Sequence, residues 1–345
     1  MLNHPIPVAV VAVAGTSSSA VLAMIELLSA VGRPWQFGQQ QSRAIFAPYV
    51  IATADTQVAV PVGIDRFSLD NVNGPEPAIV FIPEIRLDLN PQLPTPDWNV
   101  WREPLRSWHR HGAVMCSASS GVALLAQSGL LDDRPANSHW ALTRELQRRY
   151  PAVQFSGREA LVAGDAGGSI LTAGAGSAWA DLALHLIARF VGRDMALQMA
   201  RIEMLQWHEF GQRPYREPIN TAEFADGAIG QALNWLHENF ARAAPVGAAV
   251  EHAGLPERTF TRRFHVATGA SPLEYVHHLR LNQARRLLES TSLNIQSVAA
   301  ELGYEDPSFF SRLFKREVGL TPAQYRKRFS PMRDALPVGP ERAPA

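Results

Sequence analysis

Two sets of residues have the types and spacing to do chemistry. The first is Ser119-Ser120-Gly121, small residues that follow an apolar run and open a helical segment, the setting of a nucleophile elbow. With His139 about twenty residues on and an acid to orient it, the Ser119 hydroxyl could serve acyl transfer. The same residues equally suit a plain tight turn between strand and helix. The second set is Arg258, Thr261 and Arg262, echoed about fifty residues later by Ser308, Ser311 and Arg312. Each trio is interleaved with phenylalanines four apart, Phe260/Phe264 and Phe310/Phe314, so the rings share one face and the polar groups the other. Arginine forks and short hydroxyls are the groups that read base edges in a major groove. One exposed arginine usually only solvates a helix; two helices with matching offsets are a stronger signal.

The elements that must position these groups fall into two blocks. In the first 190 residues, strand-like and helix-like segments alternate. Val8–Ala14 ends at Gly15, and Thr16–Ser19 can cap a helix over Ala20–Val31. Ala78–Pro83, Ala113–Cys116 and Ser169–Ala173 are further apolar runs, the last two leading into helices at Val122–Ser128 and Ala178–Val191. Continuous apolar runs mark strands buried on both faces, and their alternation with helices predicts a mostly parallel α/β sheet. Functional groups in such folds collect at the carboxyl ends of the strands, here near Gly15–Ala20, Pro83–Arg86, Ser117–Gly121 and Gly174–Ser177. From Ala228 onward the pattern is helix after helix. The expected division is an α/β domain over 1–195, a linker over 196–227 marked by Gly211, Pro214 and Pro218, an all-α domain over 228–330 and a disordered tail over 331–345.

Composition narrows the classes. At 345 residues, 46% of them hydrophobic and 19% charged, the chain suits about two folded domains. One cysteine excludes a disulfide framework or a multi-cysteine zinc site, and the eleven histidines show no metal-ligand spacing. No phosphate-binding glycine loop is present. The apolar runs fall well short of a bilayer span, and no Lys or Arg precedes Val8 to make a secretory signal, so a cytoplasmic protein is expected. The net charge of zero hides a cancellation. Residues 1–227 carry 17 basic and 21 acidic groups, a net of −4, whereas residues 228–330 carry 13 and 9, a net of +4. Such asymmetry suggests that the second block meets a polyanion.

Within that block, Val246–Ala253, the turn Gly254-Leu255-Pro256 and Glu257–Ala267 make one helix-turn-helix pattern. Ile295–Leu302, Gly303–Asp306 and Pro307–Val318 make a second, with a longer helix over Pro272–Glu289 between them. Pro256 is expected in the first turn of its helix. The runs Arg258–Phe264, Thr268–Pro272, Arg280–Leu288, Val298–Tyr304, Ser308–Arg316 and Gly319–Arg326 closely resemble the DNA-binding domain of the AraC/XylS family. The resemblance implies that both second helices enter successive major-groove segments of double-stranded DNA, with Pro272–Glu289 as a rigid spacer. It assigns base contact to Arg258, Thr261, Arg262, Ser308, Ser311 and Arg312. Phosphate contact falls to Arg263, Lys315 and Arg316.

The segment Gly121–Asp132, with Ser138-His139-Trp140 and Leu171–Gly174, resembles the PfpI-like, class I amidotransferase-like fold. With the AraC-type block, the whole chain looks like a GlxA-type regulator. Enzymes of that superfamily carry a cysteine at the elbow, an acid on the first loop and glycines after the second apolar strand. Here those positions hold Ser119, Ala20 and Glu84-Ile85, while Cys116 sits inside the strand. An anion beside a developing oxyanion opposes catalysis. The expectation is therefore no catalytic residue, no cofactor and no metal, but a ligand pocket lined by Ala20, Glu84, Ser119, His139, Trp140 and Trp179. Glu84 would favour a cationic or amino-bearing effector, with aromatic help, or it pairs structurally with Arg86; the tryptophans also suit ordinary core packing. The resemblance further implies a homodimer, and RNA polymerase as a partner if transcription is activated. Two alternatives stay open: an active hydrolase or amidase tethered to DNA, and a constitutive DNA-binding dimer whose first domain is only a scaffold.

Overall fold

Seven short runs pair into one sheet. The computed structural model describes residues 4–33, 44–54, 56–69, 74–86, 97–216 and 227–335. Along the chain come β1 (Ile6–Ala12), α1 (Ser18–Ala30), β2 (Phe46–Ala52), β3 (Arg66–Ser68), β4 (Ile79–Ile82), α2 (Arg102–Arg110), β5 (Val114–Ala118) and α3 (Val122–Ser128). There follow β6 (Pro135–Asn137), α4 (Thr143–Arg149), β7 (Gln154–Ser156), β8 (Leu161–Ala163), β9 (Ile170–Ala173), α5 (Ala178–Phe190) and α6 (Arg193–Ile202). The sheet order is β3-β2-β1-β4-β5-β9-β8, parallel throughout except that β8 runs antiparallel to β9. A separate parallel pair, β6-β7, stands beside it.

The continuous apolar strands have the expected cause. Along β1, Val8, Val10 and Ala12 join a core with residues of α1 and α5, while Ala9 and Val11 join another with Leu105 and α3. Both faces are covered, so no position can be polar. β2 lies on one side of β1 and β4 on the other, so the strand order reverses there, the point at which sheets of this kind place their functional groups at the carboxyl ends of the strands.

The chain divides into two units, Met1–Gln212 and Arg213–Ala345. This corrects the expected linker over 196–227. Residues 196–212 belong to the first unit, because α6 buries Ala196 and Met199 in the sheet's core and Gln212 is itself buried. Residues 217–226 lie outside the described residues. In α2, Trp108 is buried in the core, and its neighbour His109 reaches the Ser169 hydroxyl at 3.0 Å.

The second unit is helical: α7 (Gly227–Asn239), α8 (Pro245–Ala253), α9 (Glu257–Thr268), α10 (Pro272–Ser290), α11 (Ile295–Glu301), α12 (Pro307–Val318) and α13 (Pro322–Ala335). α13 continues through residues 331–335, which the sequence placed in a disordered tail; residues 336–345 lie outside the described residues. Helix starts follow their capping chemistry. Ser271 and Glu274 form a capping box on α10, while Asn294 and Asp306 accept from Ser297 N and Ser308 N, each at 2.7 Å. Pro256 takes the N-cap position of α9, with extended ψ, rather than a place in its first turn. Among the described residues no helix is long and apolar enough to cross a membrane, and no group of three or more His, Cys, Asp or Glu is placed to hold a metal ion.

Candidate functional site

In the second unit the phenylalanine pairs set the orientation of both candidate reading helices. Phe260 and Phe264 in α9 and Phe310 and Phe314 in α12 are fully buried. Phe264 meets Tyr275 edge-on at 5.4 Å, and Phe314 meets Tyr325 at 5.5 Å. With those faces inward, Arg258, Thr261 and Arg262 of α9 are exposed, as are Ser308, Arg312, Lys315 and Arg316 of α12. Ser311 and Arg263 are half-buried. Arg312 lies 3.6 Å from Asp306, and both side chains are open to water. Such a pair is worth little in solvent, so the guanidinium can be released to another acceptor.

α11 and α12 are held to the rest of the unit by an arginine the sequence gave no task. Arg280 of α10 is buried, and it donates to three backbone carbonyls: Phe240 at 2.8 Å, Arg242 at 3.0 Å and Gly303 at 3.1 Å. Its guanidinium also lies 5.0 Å from the centre of the Tyr304 ring. The tie spans the end of α7 and the turn before α12. Its only sequence signal is an arginine among the apolar positions Val276, Leu279 and Ala284.

In the first unit the elbow is present, and it is strained. β5 ends at Ala118, and Ser119 follows with φ 56°, a left-handed conformation that non-glycine residues avoid at a cost of about 1–2 kcal/mol. Ser119 N donates to Gly174 O at 3.0 Å, so the loop after β9 holds one side of the turn. On the other side, Ile85 N donates to Ser120 Oγ at 2.9 Å, and Ser120 Oγ donates to Ile85 O. The loops after β1 and β4 are zipped together by Ser17 N to Glu84 O and Arg86 N to Gly15 O, both 2.8 Å. The structure thus gathers the elbow and the Glu84 loop at the sheet's carboxyl edge. Ala20 stands in the first turn of α1, just past Ser17.

The Ser119 hydroxyl is buried and has no hydrogen-bond partner. His139 therefore does not bond Ser119. Its Nδ1 accepts from Ala141 N at 3.1 Å, which fixes a neutral tautomer with the proton on Nε2, a donor rather than a base. Burial holds the imidazole below its ordinary value, and the Glu84 carboxylate pulls the other way, so the two groups feel each other. Trp140 sits beside His139, ring centres 5.2 Å apart. Trp179, with Ala23, Leu27, Arg33 and Leu205, lines a groove of about 410 Å³ beside α1. Cys116 is fully buried in β5 with its thiol pushed up by burial, so it offers no thiolate.

A serine that is strained and has an unpaired buried hydroxyl is costly to keep. Ser119→Gly should therefore stabilise the first unit by about 1 kcal/mol, after allowing for glycine's greater loss of backbone freedom on folding. Calorimetry should show its melting temperature raised by about 2–4 °C. A lowered value would mean that the hydroxyl has a structural task.

Gln212 was invisible in the sequence, where it is one amide in a Gly-Gln-Arg-Pro run. It is 4% exposed, and its carboxamide is saturated. Oε1 accepts from Ala175 N at 2.9 Å and Trp140 N at 3.2 Å. Nε2 donates to Ser138 O at 2.9 Å, Glu159 O at 3.1 Å and Asn137 Oδ1 at 3.2 Å. Just before it, His208 is clamped to the buried Asp181 through Nδ1 at 2.7 Å and its backbone N at 2.8 Å.

One chain thus joins a sheet with a strained elbow to tandem helix-turn-helix units with exposed arginines. A helix-turn-helix domain family matches residues 249–328. The chain is 31% identical over 228 residues to the HTH-type transcriptional regulator GlxA of Rhizobium meliloti, spanning 65% of this chain and 68% of that protein. It is 30% identical over 228 residues to the HTH-type transcriptional regulator CdhR of Pseudomonas aeruginosa, spanning 64% of this chain and 65% of CdhR, just under two thirds of its length. Drosophila melanogaster DJ-1beta superposes with a TM-score of 0.45 at 14% identity, over 59% of this chain and all of that one. The chain belongs to the helix-turn-helix transcriptional regulators of the GlxA kind, with an AraC-type helix-turn-helix domain.

Proposed function

We propose that the protein is a sequence-specific DNA-binding regulator, active as a cytoplasmic homodimer, whose first unit binds a small cationic effector and performs no catalysis. The observation that carries the DNA part is the pair of helices α9 and α12, each anchored by two buried phenylalanines and turning arginine and hydroxyl groups to solvent. Arg258, Thr261, Arg262, Ser308, Ser311 and Arg312 read bases; Arg263, Lys315 and Arg316 meet phosphates.

Two classes of variant separate those roles. Arg258→Ala and Arg312→Ala should each cost about 1–3 kcal/mol on the preferred duplex and relax one position of the site. Arg263→Ala, Lys315→Ala and Arg316→Ala should weaken all sequences alike and flatten the salt dependence by about one unit of slope each. Gel shifts across a salt series would measure both. Full affinity and unchanged preference in Arg312→Ala would sink the assignment.

The effector reading rests on the unpaired Ser119 hydroxyl between the Glu84 loop and the β9 loop, with His139 held neutral nearby. Three features disfavour hydrolysis there. His139 presents a donor to its surroundings, Ile85 N is already taken by Ser120, and Glu84 adds negative charge where an oxyanion would form. Polyamines, amino acids and quaternary ammonium compounds are the probes of choice in a thermal-shift screen of the intact protein. A ligand at 100 times its dissociation constant should stabilise its unit by about 2.7 kcal/mol. Glu84→Gln should weaken a cationic hit; unchanged affinity would remove the electrostatic part of the reading, and a blank screen would favour a scaffold.

A further inference from the structure

Ser177 stands at the N-cap of α5, where a serine hydroxyl ordinarily accepts from the backbone of the first turn. It makes no such cap here; its Oγ lies 3.4 Å from His208 Nε2. The other ring nitrogen, Nδ1, is 2.7 Å from Asp181 Oδ2, and Asp181 Oδ1 accepts from His208 N at 2.8 Å. A carboxylate only accepts, so the proton of the neutral imidazole sits on Nδ1, and Nε2 is left as an acceptor facing the serine hydroxyl. This is the reverse of His139, whose Nδ1 accepts and whose Nε2 carries the proton. Exposure is graded along the row: the Asp181 side chain is fully buried, that of His208 is 19% exposed, and Ser177 is open to solvent. Nucleophile, base and buried orienting acid therefore stand in line, all three within the first unit and none of them an elbow residue. The 3.4 Å separation is long, as contacts between a nucleophile and its base often are when no reactant is bound.

We propose that Ser177 is a covalent modification site, its hydroxyl activated by His208 and Asp181 to take one acyl group from an activated ester or thioester. Ser177 Oγ attacks the carbonyl carbon as its proton passes to His208 Nε2. The bond from that carbon to the leaving oxygen or sulfur then breaks, the leaving group keeps the electron pair, and His208 returns the proton to it or to water. The modification is stoichiometric. A weakly basic leaving group departs with little help, but the product on Ser177 is an ordinary alkyl ester with a poor one. Hydrolysing that ester needs donors that stabilise an oxyanion in a water-excluded site, and Ser177 lies open to solvent. The acyl group therefore stays, and the inference stands apart from the effector reading.

The intact protein would be treated with p-nitrophenyl acetate and, separately, with a small acetyl thioester, and the acetylated peptides quantified by mass spectrometry. Ser18, an exposed serine in the first turn of α1, is the internal reference for a hydroxyl at a helix start. Ser177 should acetylate on the order of 100-fold faster than Ser18, the lower end of what a positioned base supplies. The p-nitrophenolate released through Ser177 should stop at one equivalent per chain. His208→Gln should bring the Ser177 rate to within about threefold of Ser18. If that variant loses its fold, Asp181→Asn replaces it: it keeps an acceptor for His208 N, but its amide can turn the imidazole to the other tautomer, and the rate should fall about tenfold or more. Equal rates at Ser177 and Ser18 in the unaltered protein would mean that His208 and Asp181 only hold the chain to α5, and would overturn the proposal. So would a fast Ser177 rate indifferent to both variants. Sustained release that disappears in Ser177→Ala would overturn single acylation in favour of turnover.

Discussion

Gly121→Ala should leave the first unit unable to form its elbow, with a loss of about 3 kcal/mol or more. A Cβ on Gly121 would lie 2.2 Å from Pro83 O and 2.6 Å from Ile82 O. Both obstacles are backbone at the end of β4, which is buried and bonded to β1 and β5, so neither can move aside. Overpacking of flexible cores costs about 1–3 kcal/mol, and a rigid backbone obstacle belongs at or beyond the upper end. Calorimetry of the intact protein should show the first unit's melting temperature lowered by roughly 6–12 °C, or the transition gone. A fall of one degree would mean that β4 and β5 can separate at their ends at little cost.

Arg280→Met should disable DNA binding without touching a single outward-facing residue. Methionine fills much of the same apolar volume but supplies no donor, and the carbonyls of Phe240, Arg242 and Gly303 lose theirs. Bonds from a charged group contribute about 1.5–3 kcal/mol each, and water reaching the cut carbonyls offsets part of the loss, leaving about 2–4 kcal/mol. For a unit of this size the melting temperature should drop on the order of 10–20 °C. The turn at Gly303, where a Cβ would meet Ala241 O at 2.1 Å, would lose the tie that sets the start of α12. Operator affinity should therefore fall further than for any one base-contact variant. A variant that melts early yet binds with full affinity in the cold would show that α12 is oriented by its phenylalanines alone.

What the sequence made legible was what periodicity and small-residue punctuation encode. The buried strands, the elbow at Ser119 and the inward Phe260/Phe264 and Phe310/Phe314 faces all follow from residue types repeating at fixed intervals. Arg258, Arg262 and Arg312 were found on the outward faces for the same reason. The misses were long-range polar ties. Gln212 bonds residues up to 75 positions away, and no local pattern distinguishes it from any surface amide. The linker was drawn too early because Gly211 and Pro214 look like loop residues whether or not their neighbours are buried. Trp179 was grouped with the elbow because its helix begins just after the loop that follows β9; its side chain lines the groove beside α1.

The strand order of the first unit also governs how the chain comes to be folded. Every parallel pairing in β3-β2-β1-β4-β5-β9 joins segments separated by a crossover, and β5 waits for β9 some fifty residues on. Such non-local closure is slow, whereas α7–α13 mostly pack against near neighbours in sequence and form fast. The slow unit leaves the ribosome first. At about 5–20 residues per second, emergence of the second unit grants the sheet on the order of 10 s to close before a fast-folding, positively charged neighbour is complete. A fusion with the two units in reverse order would forfeit that head start, and its yield of native sheet would report how much the present order contributes.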